Sequence, residues 1–67
     1  MNEIIAKKIV DTVFDGLDKL CISASIVREN CDSTVFDEYQ LKIATIVADA
    51  GDSILEPIFR EHPKLRP

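Results

Sequence analysis

The chain has 67 residues, with 12 acidic and 8 basic side chains and a net charge of −4. Hydrophobic residues make up 46% of the chain and charged residues 30%, which is typical of one small globular domain rather than a disordered segment. The acidic balance disfavours nucleic acid and anionic membrane surfaces as partners, because both attract cationic proteins. Lys7 and Lys8 interrupt the apolar residues before a signal peptide could form, and no apolar run approaches the roughly 18 residues of a membrane span. We therefore expect a cytoplasmic protein.

A first amphipathic helix is predicted over residues 3–30, with Asn2 as its N-cap. At 100° per residue, its apolar side chains occupy about half of the circumference, a wide face for a helix with a single neighbour. These side chains are Ile5, Ala6, Ile9, Val10, Val13, Phe14, Leu17, Leu20, Cys21, Ala24 and Val27. Ile22 and Ile26 instead project from the charged half, which makes them a possible second contact patch.

A turn is predicted at residues 31–34, where polar side chains compete with the helical backbone. Thr34 and Asp37 have the spacing of a capping box, so the second helix is predicted to begin at residue 35. A short connection between two long helices makes them antiparallel neighbours. The sequence therefore predicts an all-α fold, an antiparallel helical hairpin forming a single domain over residues 1–67.

The second helix is predicted over residues 35–61, followed by a solvated, proline-punctuated tail at 62–67. Its main apolar stripe stays in phase through Gly51, which favours one helix bent between Gly51 and Pro57. The alternative is a break, because Ser53 and Glu56 form another capping box with Pro57 in the first turn behind it. The main stripe comprises Phe36, Tyr39, Ile43, Ile46, Val47, Ala50, Ile54 and Ile58.

The hairpin carries more apolar surface than its two helices can hide against each other. Ordering a chain of this length costs on the order of 100 kcal/mol, which requires roughly 4,000 Å² of apolar burial to offset. The second helix also has a second stripe about 140° from the first, made of Leu41, Ala44, Ala48, Leu55 and Phe59. We therefore expect a two-fold homodimer that forms a four-helix bundle, or pairing with another small helical protein.

Eleven residues are candidates for the interface. Leu17, Leu20, Ile43, Val47, Ile54 and Ile58 are expected to hold the assembly together. The partner-facing patch is expected to be either Leu41, Leu55 and Phe59 or the pair Ile22 and Ile26. In topology and length this architecture resembles the Rop-type hairpin dimers, but no motif is shared and no function is carried over.

The sequence carries no motif for catalysis, cofactor binding or metal binding. Cys21 and Cys31 would lie about 15 Å apart on one helix, too far for a disulfide, and Cys21 is expected to be a buried thiol. The single histidine, His62, lies in the tail. The carboxylates of Asp11, Asp15 and Asp18 share a helix face that points away from the apolar arc, so we interpret them as solvated.

The leading hypothesis is therefore a non-enzymatic, homodimeric protein–protein interaction or regulatory module, with no cofactor, metal or small-molecule ligand. One alternative is a nucleic-acid-associated regulator that uses the basic cluster of Arg60, Lys64 and Arg66. Another is a small metal- or redox-dependent protein that uses the cysteines or the carboxylate rows.

Overall fold

The computed structural model describes all 67 residues and shows an antiparallel helical hairpin without strands, as the sequence predicts. Its elements are α1 (Glu3–Asn30), α2 (Ser33–Ala50), a π turn (Gly51–Leu55) and α3 (Glu56–Glu61), followed by a 3₁₀ turn (Pro63–Leu65). The stretch from α2 to α3 is one continuous bent rod of 29 residues. The molecule measures 45 × 16 × 15 Å, so it is a single pair of helices lying side by side.

Helix α1 has the predicted bounds because both of its ends are capped. The side-chain oxygen of Asn2 accepts a hydrogen bond of 2.9 Å from the backbone N–H of Ile5, as an N-cap does. At the other end, the N–H of Cys31 donates to the carbonyl of Val27 at 2.8 Å, and Cys31 itself is extended. The polar residues that follow then turn the chain back on itself.

The turn is shorter than predicted, and Thr34 is not the N-cap of the second helix. Asp32 holds that position, because its carboxylate accepts a 3.0 Å hydrogen bond from the N–H of Val35. An aspartate at this position also interacts favourably with the positive end of the helix dipole. Helix α2 therefore begins at Ser33, two residues before the predicted start.

The second helix bends at the π turn without breaking. The N–H of Glu56 donates to the carbonyl of Gly51, five residues earlier, where an α-helix would use the residue four earlier. In a regular helix the ring of Pro57 would clash with the Ser53 carbonyl, and the wider turn just before Pro57 relieves that crowding. The bent, continuous helix is confirmed, and the alternative break with a capping box at Ser53 is wrong.

The π turn changes which side chains of the second helix face α1. Its extra residue moves all later positions by about one residue on the wheel, so Leu55 and Phe59 turn inward and Ile54 turns outward. Leu55 and Phe59 are only 5% and 6% exposed, whereas Ile54 is 44% exposed. The prediction that Leu55 and Phe59 belong to an outward second stripe is wrong, as is the inward placement of Ile54.

The hydrophobic core is small and lies at the end of the molecule away from the hairpin turn. Its buried members are Ala6, Val10, Leu55, Ile58 and Phe59. Ile9, Val13, Phe14, Leu17 and Leu65 pack against it and are half-buried. Ile43 is the only other buried residue, so the half of the hairpin near the turn has almost no interior.

The tail is docked onto this core through some of its residues: His62 and Leu65 are half-buried, so the prediction of a solvated tail is wrong for them, whereas Pro63, Lys64 and Arg66 are exposed. Leu65 packs against the core, and the guanidinium of Arg66 donates hydrogen bonds of 3.1 and 2.8 Å to the Glu56 carboxylate. The same guanidinium lies 5.2 Å from the centre of the Phe59 ring, a cation–π distance. An apolar anchor and a fork-shaped ion pair together hold the short segment in place.

Candidate interaction surface

A groove runs between α1 and α2 in the half of the hairpin near the turn. It has a volume of about 520 Å³, and most of the residues that line it are hydrophobic. The α1 wall is made of Cys21, Ala24, Ser25 and Arg28. The α2 wall is made of Phe36, Gln40, Ile43, Ala44, Val47 and Ala48. The groove thus lies where the hairpin has the least interior of its own.

Small side chains create this groove. Ala24 and Ser25 lie on the α1 wall, and Ala44 and Ala48 lie one turn apart on the α2 wall. These side chains are too short to fill the space between two helices at ordinary packing distance. Phe36, Ile43 and Val47 are the larger apolar side chains of the lining, and apolar atoms cover most of the groove surface. Such a surface is able to accept the ridge of another helix.

One hydrogen bond between side chains joins α1 to α2, and it lies outside the groove. The hydroxyls of Ser23 and Tyr39 are 2.7 Å apart, and the Ser23 hydroxyl also donates to the backbone carbonyl of Leu20. Because serine has a single hydroxyl proton, the Tyr39 hydroxyl is the donor in the contact between the helices. This polar contact holds the two helices together beside the groove without using any residue that lines it.

The structure sorts the predicted interface residues into three groups. Ile43, Leu55, Ile58 and Phe59 are buried within the single chain, and Leu17, Leu20 and Val47 are half-buried. Ile22, Ile26, Leu41 and Ile54 are exposed. Only Ile43 and Val47 line the groove, so the structure does not bring the predicted patches together into one surface.

Cys21 is exposed and lines the groove, so its predicted burial is wrong for the single chain. Cys21 lies inside the apolar arc of α1, but α2 does not cover that flank of the arc. Cys31 is exposed at the end of α1, and neither cysteine forms a disulfide. The sequence analysis also missed Arg28 and Gln40 as lining residues of a groove. The sequence signal that could have indicated a groove is the pair of small residues Ala44 and Ala48, one helical turn apart.

The charges near the groove are few, and Arg66 of the docked tail is paired with Glu56. Arg28 is the only ionisable side chain on the groove walls apart from the Cys21 thiol. Hydrogen bonds from Arg66 hold the pKa of the Glu56 carboxyl below its usual value of 4.5. The ammonium group of Met1 donates a 3.1 Å hydrogen bond to Glu61 and lowers the pKa of that carboxyl.

No group of three or more histidine, cysteine, aspartate or glutamate side chains is arranged to hold a metal ion. None of the helices combines the length and the apolar character that crossing a membrane would need. The chain matches no protein-family model, no curated protein and no solved structure.

Proposed function

We propose that the chain is a non-enzymatic helical interaction module that self-associates through the groove. Two copies pack groove to groove around a two-fold axis and form a four-helix bundle, the commonest symmetry for such an assembly. The single observation that carries this proposal is the apolar groove of about 520 Å³ in a hairpin with only six buried residues.

The surface area of the chain supports a second copy as the occupant. A folded monomer of 7.5 kDa is expected to expose about 4,250 Å², whereas this chain exposes 4926 Å². The difference of about 700 Å² is close to the roughly 800 Å² that each partner covers in a standard interface. One interface of ordinary size would therefore bring the exposed area per chain into the usual range.

The shape of the groove also suits a second copy. A two-fold axis places the same surface patch on both sides of the interface, so the patch has to be complementary to itself. Ala24, Ala44 and Ala48 allow two helix backbones to approach closely, while Phe36 and Val47 supply the larger side chains that would fill the space between them. The groove thus offers both the small and the large side chains that interdigitation requires.

The charges favour this proposal over the nucleic-acid alternative. Arg66 is bonded to Glu56, and the guanidinium of Arg60 lies 3.9 Å from the same carboxylate. Of the three cations proposed for a basic cluster, only Lys64 makes no ion pair. Partly neutralised cations contribute less to phosphate binding than free ones, and the whole chain carries a net charge of −4.

The proposal is tested by placing one negative charge inside the groove and the same charge just outside it. Ala44→Glu puts a carboxylate on the α2 wall, and Thr45→Glu puts it on the next residue, which is exposed and does not line the groove. We expect Ala44→Glu to weaken association at least tenfold, because a buried unpaired charge is costly. Thr45→Glu should associate like the wild type. Sedimentation velocity over a range of concentrations measures both.

Equal behaviour of the two variants would contradict the groove as the interface. Circular dichroism serves as the folding control, since both positions are exposed in the single chain and glutamate is a good helix former. Native mass spectrometry of protein from its own host distinguishes a homodimer from a complex with another small helical protein. A heterodimer would overturn the homodimer but would leave the groove as its binding surface.

A further inference from the structure

The groove stays open with all of its own side chains in place. Phe36, Ile43 and Val47 already belong to its lining, and a volume of about 520 Å³ remains. Protein interiors are packed without voids of this size, so a second copy that covers the groove has to fill it. Two concave surfaces placed face to face only enlarge the space between them. Each copy therefore needs a large apolar side chain that projects from beside its own groove.

Leu41 is such a side chain. It is 70% exposed and is not part of the groove lining. Helix α2 is regular from Ser33 to Ala50, so positions three and seven residues apart share a face. Leu41 therefore lies in one column with Ala44 and Ala48, about 20° from Ala48 around the helix axis. A projecting leucine and the two smallest side chains of the α2 wall are thus neighbours on one surface.

Ile22 and Ile26, the other patch that the sequence predicts, lie further from the groove. They are 59% and 57% exposed on α1. Around the helix axis they lie about 60° and about 100° from Ser25, the lining residue nearest to them. The residues beyond the π turn that the sequence grouped with Leu41 are buried in the core. Among the predicted partner-facing residues, Leu41 is therefore the one that adjoins the groove.

We infer that Leu41 of each copy inserts between Ala44 and Ala48 of the other copy, so that the two α2 helices pack antiparallel across the two-fold axis. The inference rests on the proposed function, because it takes a second copy as the occupant of the groove. A two-fold contact is reciprocal, so a single register seats both leucines at the same time. The alanines let the two helices approach closely, and each leucine fills space that the alanines leave open.

The spacing of these residues along α2 fixes where the two-fold axis crosses the helix. Ala44 and Ala48 lie about 4.5 and about 10.5 Å along the helix from Leu41, so the gap between them is centred about 7.5 Å away. A leucine faces a gap in both copies when the axis passes midway between the two, at the level of Ile43 and Ala44. The α2 wall extends from Phe36 to Ala48, so this axis lies near the middle of the groove.

Two matched truncations test the insertion. Leu41→Ala removes the projecting side chain, and Ile26→Ala removes an isomeric, exposed side chain from α1 outside the groove. Alanine is a strong helix former, so each single chain should keep its fold, and circular dichroism checks that it does. In sedimentation velocity we expect Leu41→Ala to weaken association at least tenfold, because each dimer loses two inserted leucines. Ile26→Ala should associate like the wild type.

Nuclear Overhauser contacts between a ¹³C-labelled chain and an unlabelled chain report the register in the wild type. We expect the methyl groups of Leu41 in one chain to contact those of Ala44 and Ala48 in the other. Contacts between chains at these alanines without any to Leu41, or equal association of Leu41→Ala and Ile26→Ala, would overturn the insertion and leave the groove as the interface. A wild type that stays monomeric would overturn the proposed function and the insertion together.

Discussion

Leu55 and Ile54 are adjacent aliphatic residues, but Leu55 is buried and Ile54 is exposed. Substituting each in turn tests whether the π turn is present, because the turn decides which of the two faces α1. Leu55 is 5% exposed within the core and Ile54 is 44% exposed. We expect Leu55→Ala to lower the free energy of unfolding by about 2–5 kcal/mol, because it removes buried methyl groups and leaves a cavity. We expect Ile54→Ala to lower it by less than about 1 kcal/mol, as partly exposed positions do.

Urea denaturation of the two variants measures this difference under identical conditions. A regular α-helix through Gly51–Pro57 would place Ile54 on the inward stripe and Leu55 outside it. The opposite ranking, with Ile54→Ala the more destabilising change, would therefore contradict the π turn.

The lowered pKa of the Glu56 carboxyl leads to a prediction of how the free energy of unfolding changes in acid. Its pKa is lowered in the folded chain by hydrogen bonds from Arg66, relative to a usual value of 4.5. A carboxyl whose folded pKa is depressed adds stability that is complete above its unfolded pKa and is lost as the pH falls through the folded pKa. We expect the free energy of unfolding to fall below about pH 4.5, in part because this ion pair is lost.

Glu56→Gln provides the control, because glutamine does not titrate and forms no ion pair with Arg66. The variant should be less stable than the wild type at neutral pH, and this difference should shrink as the pH falls below about 4.5. If the wild type and Glu56→Gln differed in stability by the same amount at neutral and acidic pH, that result would argue against the Arg66–Glu56 contact in solution. The experiment requires only thermal melts across a pH series.

At the start of α2, Asp32 and Thr34 are both residue types that are favoured as N-caps, but only Asp32 acts as one. The side chain of Asp32 accepts a hydrogen bond from Val35, whereas the Thr34 hydroxyl makes no hydrogen bond. We expect Asp32→Ala to destabilise the protein by about 1 kcal/mol through the loss of the cap. Thr34→Ala should be close to neutral, since Thr34 lies within the helix and is exposed.

Thermal denaturation of both variants measures the loss of stability. A larger loss for Thr34→Ala than for Asp32→Ala would indicate that Thr34 is the N-cap, as the sequence predicted. The observed N-cap at Asp32 also shows how far capping preferences predict the start of a helix. They located the turn between the helices, but they placed the N-cap at Thr34, two residues after the observed cap at Asp32. The position of the cap depends on the backbone path through Cys31, which joins the C-terminus of α1.

The elements were predictable from sequence wherever one periodicity holds throughout. Helix α1 keeps one apolar phase and has a good N-cap in Asn2, so its bounds follow from its residues. A fixed 100° per residue cannot represent an extra residue in a π turn, and so the phase after Gly51 was misplaced. The same shift explains why Leu55 and Phe59 were expected on an outer surface.

At the scale of the whole molecule, the hairpin was predictable and the groove was not. The hairpin follows from two long amphipathic segments joined by a few polar residues. The groove depends on how closely the two helices approach each other at Ala24, Ala44 and Ala48. The hydrophobic periodicity of a sequence does not give that distance. The docked tail depends on contacts between Arg66, Glu56 and Phe59, and these require the folded position of α3.

Self-association predicts that thermal stability depends on protein concentration. Folding coupled to dimer formation raises the melting temperature as the concentration increases, by mass action. We expect a steady rise over a hundredfold range for the wild type and a much flatter dependence for Ala44→Glu. A melting temperature independent of concentration for both proteins would indicate that a single chain accounts for all of the stability.

The most direct test is to observe contacts between copies at the groove itself. Equal amounts of ¹³C-labelled and unlabelled protein are mixed, unfolded and refolded together, and isotope-filtered nuclear Overhauser spectra then report only contacts between chains. The account predicts such contacts at the methyl groups of Ala24, Ala44 and Ala48. A folded protein that sediments at the 7.5 kDa of one chain and shows no contacts between chains would contradict it.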